Sequence, residues 1–438
     1  MNNINISNPF VILFVAGTLL SFFVNQILDF INFLSRKKTS GVFPKELENI
    51  PSAAVFDREK LKKISDYENV KYFFSIPQAL VSVALTLFLA LSGFYPWLLN
   101  KCLFNGIPSG FIQTFISAFL FFFLASIPEL IISVPFSLYS EFKIEKQFGF
   151  SKMTLKLWLL DQVKGFIVSM IFTAILLFAM IGVMSAFPKF WWIFLAAVMF
   201  LFSLVMQVLY PLVIAPVFNK FSPLEDGELK TRLENLLAKT GFKSSGVFLM
   251  DASKRSGHSN AYFGGMGKSK RIVLFDTLVS QLTPQEIEAV LGHELGHYKL
   301  KHIVKRFVFS VPFVVLLMYL LFFCSTHISI YTGFGFGFCE GAIVPPSLQF
   351  VGLFLSSMVW SELSFLITPV TNFMSRKDEY QADNFSKEIT KNPDALVSGL
   401  IKLNSENLSE LIPSKIYAFW NYSHPTLLER IKNLTLKS

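Results

Sequence analysis

The sequence predicts an α-helical integral membrane protein of seven spans that carries a mainly helical, zincin-like protease domain with a small β element. Three observations predict it. The 438-residue chain is 53% hydrophobic and only 16% charged, against roughly a quarter charged in an average soluble domain. Seven apolar runs are long enough to cross a bilayer, which takes about 20 residues. One segment, His293-Glu294-Leu295-Gly296-His297, is an H-E-x-x-H motif whose two histidines share one helix face.

The apolar runs fall at roughly 10–34, 73–99, 111–137, 163–187, 190–214, 306–326 and 347–371. The start, Met1-Asn2-Asn3-Ile4-Asn5, lacks a basic region, so the first run reads as a span rather than a cleavable signal. The first connection carries nine Lys and Arg between Arg36 and Lys71, and the third holds Lys143, Lys146, Lys152 and Lys156. The second and fourth carry only Lys101 and Lys189, and the sixth (327–346) carries none. Positive loops mark the cytoplasmic side. The N-terminus is therefore expected in the lumen or outside, with the odd connections and the C-terminus cytoplasmic. The same bias explains the net charge of +9 without nucleic acid, because the cations lie scattered among acids and form no basic stripe.

Two polar stretches, 215–305 and 372–438, are expected to fold together outside the bilayer. The chain divides accordingly into 1–214 (five spans), 215–305 (the H-E-x-x-H segment), 306–371 (two spans) and 372–438 (a segment completing the site). In 215–305, Val247–Met250 and Arg271–Phe275 read as strands around a Gly-containing loop at 259–265, which suggests a hairpin or small sheet. The motif helix opens on Thr283-Pro284-Gln285-Glu286, an N-cap, a Pro at the first helical position and a capping-box Glu. Asn25, Gln26, Asp29, Glu129 and Glu362 lie within or at the ends of spans. Such groups face a bundle interior or a wet cavity, and both readings stay open. The three cysteines, Cys102, Cys324 and Cys339, form no metal-like pair. A Cys324–Cys339 bridge stays open.

A catalytic zinc takes three protein ligands and one open position. His293 and His297 supply two, and Glu294 sits where it can take a proton from a metal-bound water. The third must be His, Glu or Asp. The best candidate is Glu379, directly after the seventh run, although its surroundings also read as a charged helix start. Asp383 shares its helix face and can accept from a ligand imidazole. His302, five residues beyond His297, reads as polar surface off the ligand face. His258 reads as a structural loop residue, and His327 falls on the opposite membrane side. His424 reads either as a solvated loop residue or as an oxyanion donor.

Several segments in order resemble one family. They are Phe142 to Thr154, Ala215-Pro216-Val217-Phe218-Asn219-Lys220-Phe221, Ser253 to Phe263, the H-E-x-x-H helix, Glu379 to Asp383, and Ser423-His424-Pro425 with Glu429-Arg430-Ile431. The chain resembles the type I CAAX prenyl protease family over nearly its whole length. The resemblance implies one Zn²⁺ per chain on His293, His297 and Glu379, with Glu294 as general base and acid. It implies that Asn260 and His424 contact the scissile peptide and its oxyanion, and that Arg430 orients substrate. It implies a ring of seven helices around a water-filled chamber. The partners are then the bilayer and a prenylated CAAX substrate, in the endoplasmic reticulum of a eukaryote or the inner membrane of a bacterium. Two other readings compete: a membrane quality-control protease indifferent to prenylation, and a seven-helix transporter or receptor without a metal.

Overall fold

The computed structural model describes residues 4–104, 106–242, 244–265, 270–337 and 344–435. The membrane part opens with α1 (Pro9–Thr39), whose first turn is capped by the Asn8 side chain accepting from the Phe10 N–H. There follow α2 (Arg58–Leu91), α3 (Phe94–Cys102) and α4 (Phe111–Tyr139), the last running through a π turn into α5 (Lys146–Phe148). Then come α6 (Leu155–Ala186) and α7 (Trp191–Leu209), which continues through a second π turn into α8 (Ala215–Phe218). The protease part holds β1 (Phe221–Pro223), α9 (Glu228–Thr240), β2 (Val247–Met250), β3 (Ala261–Gly264), β4 (Arg271–Phe275), α10 (Asp276–Gln281) and α11 (Pro284–Lys299). The chain re-enters the membrane with α12 (His302–Thr326), α13 (Ile328–Gly333) and α14 (Gln349–Ser361). It ends with α15 (Thr368–Thr390), α16 (Pro393–Glu406), α17 (Lys415–Asn421) and α18 (Leu427–Thr435).

Among the described residues, six helices are long and apolar enough to cross a bilayer, and a bent pair makes the seventh span. That pair, Pro346–Ser361 and Ser364–Thr390, turns by 43°, so the expected continuous span at 347–371 is broken. The cause is local. The chain passes Glu362 and a 3₁₀ turn at Ser364–Leu366, then restarts at Thr368-Pro369. Proline lacks the N–H that would continue the ladder and is best suited to the first helical turn, where Pro369 stands. The second span also differs from expectation. It starts fifteen residues early, at Arg58, and stops at Leu91, where Gly93 at φ 80 turns the chain into α3.

Two apolar cores sort the connections by side. One joins Leu47 and Phe56 of the first connection, Ile144 and Phe150 of the third, Ala289 of α11, and Ile401, Leu411 and Ile431 of the C-terminal part. The other joins Phe14 near the N-terminus, Leu98 and Leu99 of α3, and Phe334 and Leu348 of the sixth connection. A cavity of about 250 Å³ brings Pro188 of the fourth connection beside Ser109 and Pro346. Strict alternation of seven spans therefore holds. The spans are thinly packed: the apolar window of α12 contains no buried residue, and in α2 and α7 only 11% of it is buried. A solid bundle would bury one stripe of every helix. Helices arranged around a chamber do not, which agrees with the expected ring. Asn25 donates to the Ser21 carbonyl of its own helix, a third solution beside the two expected.

The sheet corrects the expected hairpin. Its order is β1-β2-β4-β3, and β2 pairs with β4 in parallel. The segment expected as a loop supplies β3, antiparallel to β4 and at the sheet edge. Cys324 is a free thiol, and Cys339 lies outside the described residues, as does any bridge between them.

Candidate active site

The motif helix α11 is built from its cap. Thr283 Oγ1 accepts from the Glu286 N–H, and Glu286 Oε2 accepts from the Thr283 N–H at 2.8 Å. Glu286 also accepts from Ser398 Oγ at 2.6 Å and pairs with Lys402 Nζ at 2.7 Å, which ties α11 to α16. Burial pushes this carboxyl up, but the bonds from Lys402, Ser398 and Thr283 outweigh it and hold the group below the usual carboxylate range.

Packing then brings the third acid in. Gly292 and Gly296 each precede one motif histidine and lie four apart, on the face toward α15. A Cβ on Gly296 would stand 2.9 Å from Ala382 Cα, and one on Gly292 would stand 3.0 Å from Ser386 Oγ. Only a bare backbone admits α15 this closely. Glu379, one turn before Ala382, thereby reaches the histidines. His293 Nε2 lies 3.2 Å from His297 Nε2, Glu379 Oε2 lies 3.3 Å from His293 Nε2, and Glu379 Oε1 lies 3.2 Å from His297 Nε2.

These three groups fit a metal ion. Ligands at about 2.05 Å around a tetrahedral zinc stand roughly 3.3 Å apart, the spacing found here. Glu379 Oε2 is buried without a hydrogen-bond partner among the described residues, and Glu379 is 3% exposed. A lone buried carboxylate oxygen facing two imidazoles is costly unless a cation fills the gap. The geometry brings Glu379, the candidate for the third ligand, within reach of both motif histidines.

The surrounding groups orient the set. Asp383 Oδ1 lies 2.8 Å from His293 Nδ1, which leaves Nε2 facing the ligand gap. Arg430 grips Asp383 with two bonds, Nε to Oδ2 at 2.9 Å and Nη2 to Oδ1 at 2.5 Å. Burial pushes Asp383 up, but hydrogen bonds from His293 and Arg430 overcome it and hold the carboxyl low. The same contest, won by His293 and His297, lowers Glu379. At Glu294 burial wins over the two imidazoles, and the carboxyl is raised. Its side chain faces a cavity of about 260 Å³ shared with Asn260, His424 and Arg430. Val290, Leu396, Leu400 and Leu403 make that cavity's apolar wall.

His424 Nε2 lies 3.5 Å from Glu379 Oε1, on a side chain that is 63% exposed. Its loop is pinned at both ends. Arg376 Nη1 donates to the Tyr422 carbonyl at 2.6 Å and the Phe419 carbonyl at 3.2 Å, and Asn372 Nδ2 donates to the Trp420 carbonyl at 2.6 Å. On the far side Thr426 and Glu429 cap each other at the start of α18. Asn260 immediately precedes the edge strand β3, and its Oδ1 accepts from the Ala261 N–H. His258 stacks on Phe150 with centroids 4.0 Å apart and faces Asn407 and Glu145. His327 follows α12, at the opposite end from the motif.

His302 corrects the sequence reading. It is 1% exposed, not polar surface, and it opens α12 rather than extending α11. Lys301, at φ 57, breaks the helix and swings His302 against His297. Sequence reasoning also passed over Arg376 and Gln381. The glycine pair Gly292 and Gly296, one before each motif histidine, was the one local signal of close helix packing that could have been read.

Seven membrane segments, an H-E-x-x-H helix and a carboxylate brought to it by α15 define a multi-pass membrane metallopeptidase. Residues 32–220 match the family described as CAAX prenyl protease N-terminal, five membrane helices, and residues 223–437 match peptidase family M48. CAAX prenyl protease 1 of Saccharomyces cerevisiae is 35% identical over 86% of each chain. The CAAX prenyl protease 1 homolog of Homo sapiens is 33% identical over 91% of this chain and 89% of its own. The crystal structure of S. mikatae Ste24p superposes with a TM-score of 0.89 at 32% identity, covering 98% of this chain and 99% of that one. The chain belongs to the CAAX prenyl protease family of M48 peptidases.

Proposed function

We propose that this protein is a zinc endopeptidase that removes the C-terminal tripeptide from prenylated CAAX proteins at the membrane. The observation that carries the reading is the triangle of His293, His297 and Glu379, with Glu294 beside it on a cavity that has an apolar wall. When bound, a zinc ion on these three groups lowers the pKa of a coordinated water and polarises a carbonyl. The chain's own residues do the rest. Glu294 takes a proton from the attacking water and returns it to the leaving amine, a role suited to a carboxyl raised by burial. His424 donates to the oxyanion as it forms. The substrate lies extended along the β3 edge, held at Asn260, while the Arg430 Nη1 edge meets a substrate carbonyl. Leu396, Leu400 and Leu403 receive the aliphatic residues.

In this reading residues 1–214 and 306–371 build the chamber, and 215–305 with 372–438 build the protease. The lysine-rich first and third connections support a cytoplasmic protease side and a lumenal N-terminus. The eukaryotic relatives support the endoplasmic reticulum membrane. The test is cleavage of a farnesylated C-a-a-X peptide beside its unprenylated twin, by wild type and Glu294→Gln. Cleavage of the prenylated peptide alone, lost in a variant that still binds zinc and folds, is expected. Equal cleavage of both peptides would replace this reading with the quality-control protease, and normal turnover by the variant would remove Glu294 from its role.

A further inference from the structure

His297 turns Nε2 toward His293 and Glu379, so its other ring nitrogen must find a partner elsewhere. That Nδ1 lies 3.0 Å from Nδ1 of His302. The rings meet edge to face, at 75° with centroids 5.1 Å apart. His302 Nε2 in turn lies 3.0 Å from Gln381 Oε1 and 3.8 Å from Asp378 Oδ1. On a continuous helix His302 would project roughly 140° around from His297. The left-handed Lys301 is what brings the two rings together.

A ligand histidine usually aims its second N–H at a carboxylate, a carbonyl or water. His293 does so through Asp383. His297 instead faces an imidazole, which can donate or accept, so something further along must set the direction. With both rings neutral, two proton arrangements satisfy the chain. In the first, His302 donates from Nε2 to Gln381 and accepts at Nδ1 from the His297 Nδ1–H. His297 Nε2 then keeps its lone pair. In the second, the Gln381 amide is flipped and donates, each proton shifts by one bond, and His297 Nε2 carries a hydrogen that blocks a ligand bond. Asp378 chooses the first. Its carboxylate can only accept, it stands on the Nε2 side of His302, and Arg306 Nε holds its other oxygen at 2.7 Å.

We infer that His302, directed by Gln381 and Asp378, is a positioning residue that keeps the Nε2 lone pair of His297 on the metal. The inference rests on reading His293, His297 and Glu379 as the metal ligands. The test is zinc affinity of the full-length protein in detergent, by competition with a chelator, with thermal melting as a check on folding. His302→Leu removes the acceptor. His302→Asn places Oδ1 close to where Nδ1 stood and restores it. The expected result is roughly 10- to 100-fold weaker zinc binding in the leucine variant and recovery of most of it in the asparagine variant. Wild-type affinity in His302→Leu, or equal losses in the two, overturns the inference. Should the buried position fail to fold when changed, half-buried Gln381 decides. Gln381→Met is expected to weaken zinc and Gln381→Glu to retain it, and no difference between them overturns the inference. His297→Ala is the reference. If it keeps zinc, the ligand reading itself fails. If it loses zinc while His302→Leu does not, only the present inference fails.

Discussion

Replacing Gly296 by alanine tests whether close approach of α11 and α15 builds the site. The new Cβ would meet Ala382 Cα at 2.9 Å, Ala382 O at 3.1 Å and Phe385 Cβ at 3.2 Å. Two of these are backbone atoms, so no rotamer change relieves them. To reach the 3.4 Å of ordinary contact, α15 itself must retreat. Glu379 sits one turn away on the same helix and moves with it, whereas metal–ligand distances tolerate only about 0.2 Å. Two energies oppose each other. Alanine favours a helix interior over glycine by about 1 kcal/mol, and overpacking costs about 1–3 kcal/mol. Folding thus loses at most about 2 kcal/mol, and the protein still folds. Metal binding loses more, because strained ligand geometry acts on it directly. Disturbing the groups that orient metal ligands costs roughly 10–100-fold in affinity, and a loss of that order is expected when α15 moves. Gly292→Ala is the comparison, since its Cβ would meet Ser386 Oγ and Thr390 Cγ2, which are side chains. The assay is zinc titration with melting in detergent, followed by peptide cleavage. A Gly296→Ala protein with wild-type zinc affinity and a raised melting temperature would refute the packing argument.

Two further perturbations probe the frame around the site. Glu286→Gln removes a carboxyl that the fold holds below its usual range. A depressed folded pKa stabilises above the unfolded value and loses that stabilisation as pH falls through the folded value. Wild type is therefore expected to melt higher than the variant at neutral pH, with the gap closing below roughly pH 4; a gap independent of pH would contradict the linkage. Arg36→Met leaves Glu410 buried with Asn32 as its one side-chain donor among the described residues, after loss of a 2.9 Å ion pair whose two side chains are each 6% exposed. Breaking such a pair costs about 3–5 kcal/mol, whereas replacing both partners by apolar groups is near neutral. Arg36→Met is expected to melt well below wild type and Arg36→Met/Glu410→Leu close to it, and equal melting of the two variants would contradict the cost assigned to the unpaired Glu410.

What could be read from sequence was local in origin. The α11 cap and the ligand spacing depend on residues at most four apart, so the motif helix was legible in full. The spans were legible because hydrophobicity over 20 residues needs no partner to register. The failures were set by distant contacts or by weak signals. β2 pairs in parallel with β4 over an intervening strand, and no pattern within Val247–Met250 announces that partner. The break before His302 rests on Lys301 in a left-handed conformation, a residue type that gives no such warning. Arg376 reads as an ordinary cation at a membrane exit, because the carbonyls it holds lie 42–46 residues later.

The site has one organising element, and it is α15 rather than the motif helix. Asn372, Arg376, Glu379 and Asp383 recur at spacings of four, three and four, so they share one face. That face holds the loop of His424, brings Glu379 to the motif histidines and sets Asp383 against Nδ1 of His293. The flank formed by Asp378 and Gln381 faces His302, and Ala382 fills the gap over Gly296. In the proposed mechanism this one helix therefore sets the ligands, the imidazole tautomers and the oxyanion donor in a single register. Substitutions that displace it should lower metal affinity and turnover together. Substitutions at its partners, such as Glu294 or His424, should separate the two. Residues acting through one shared element give non-additive effects when combined. A Gly296→Ala/Arg376→Ala pair is therefore expected to lose less activity than the sum of its single losses.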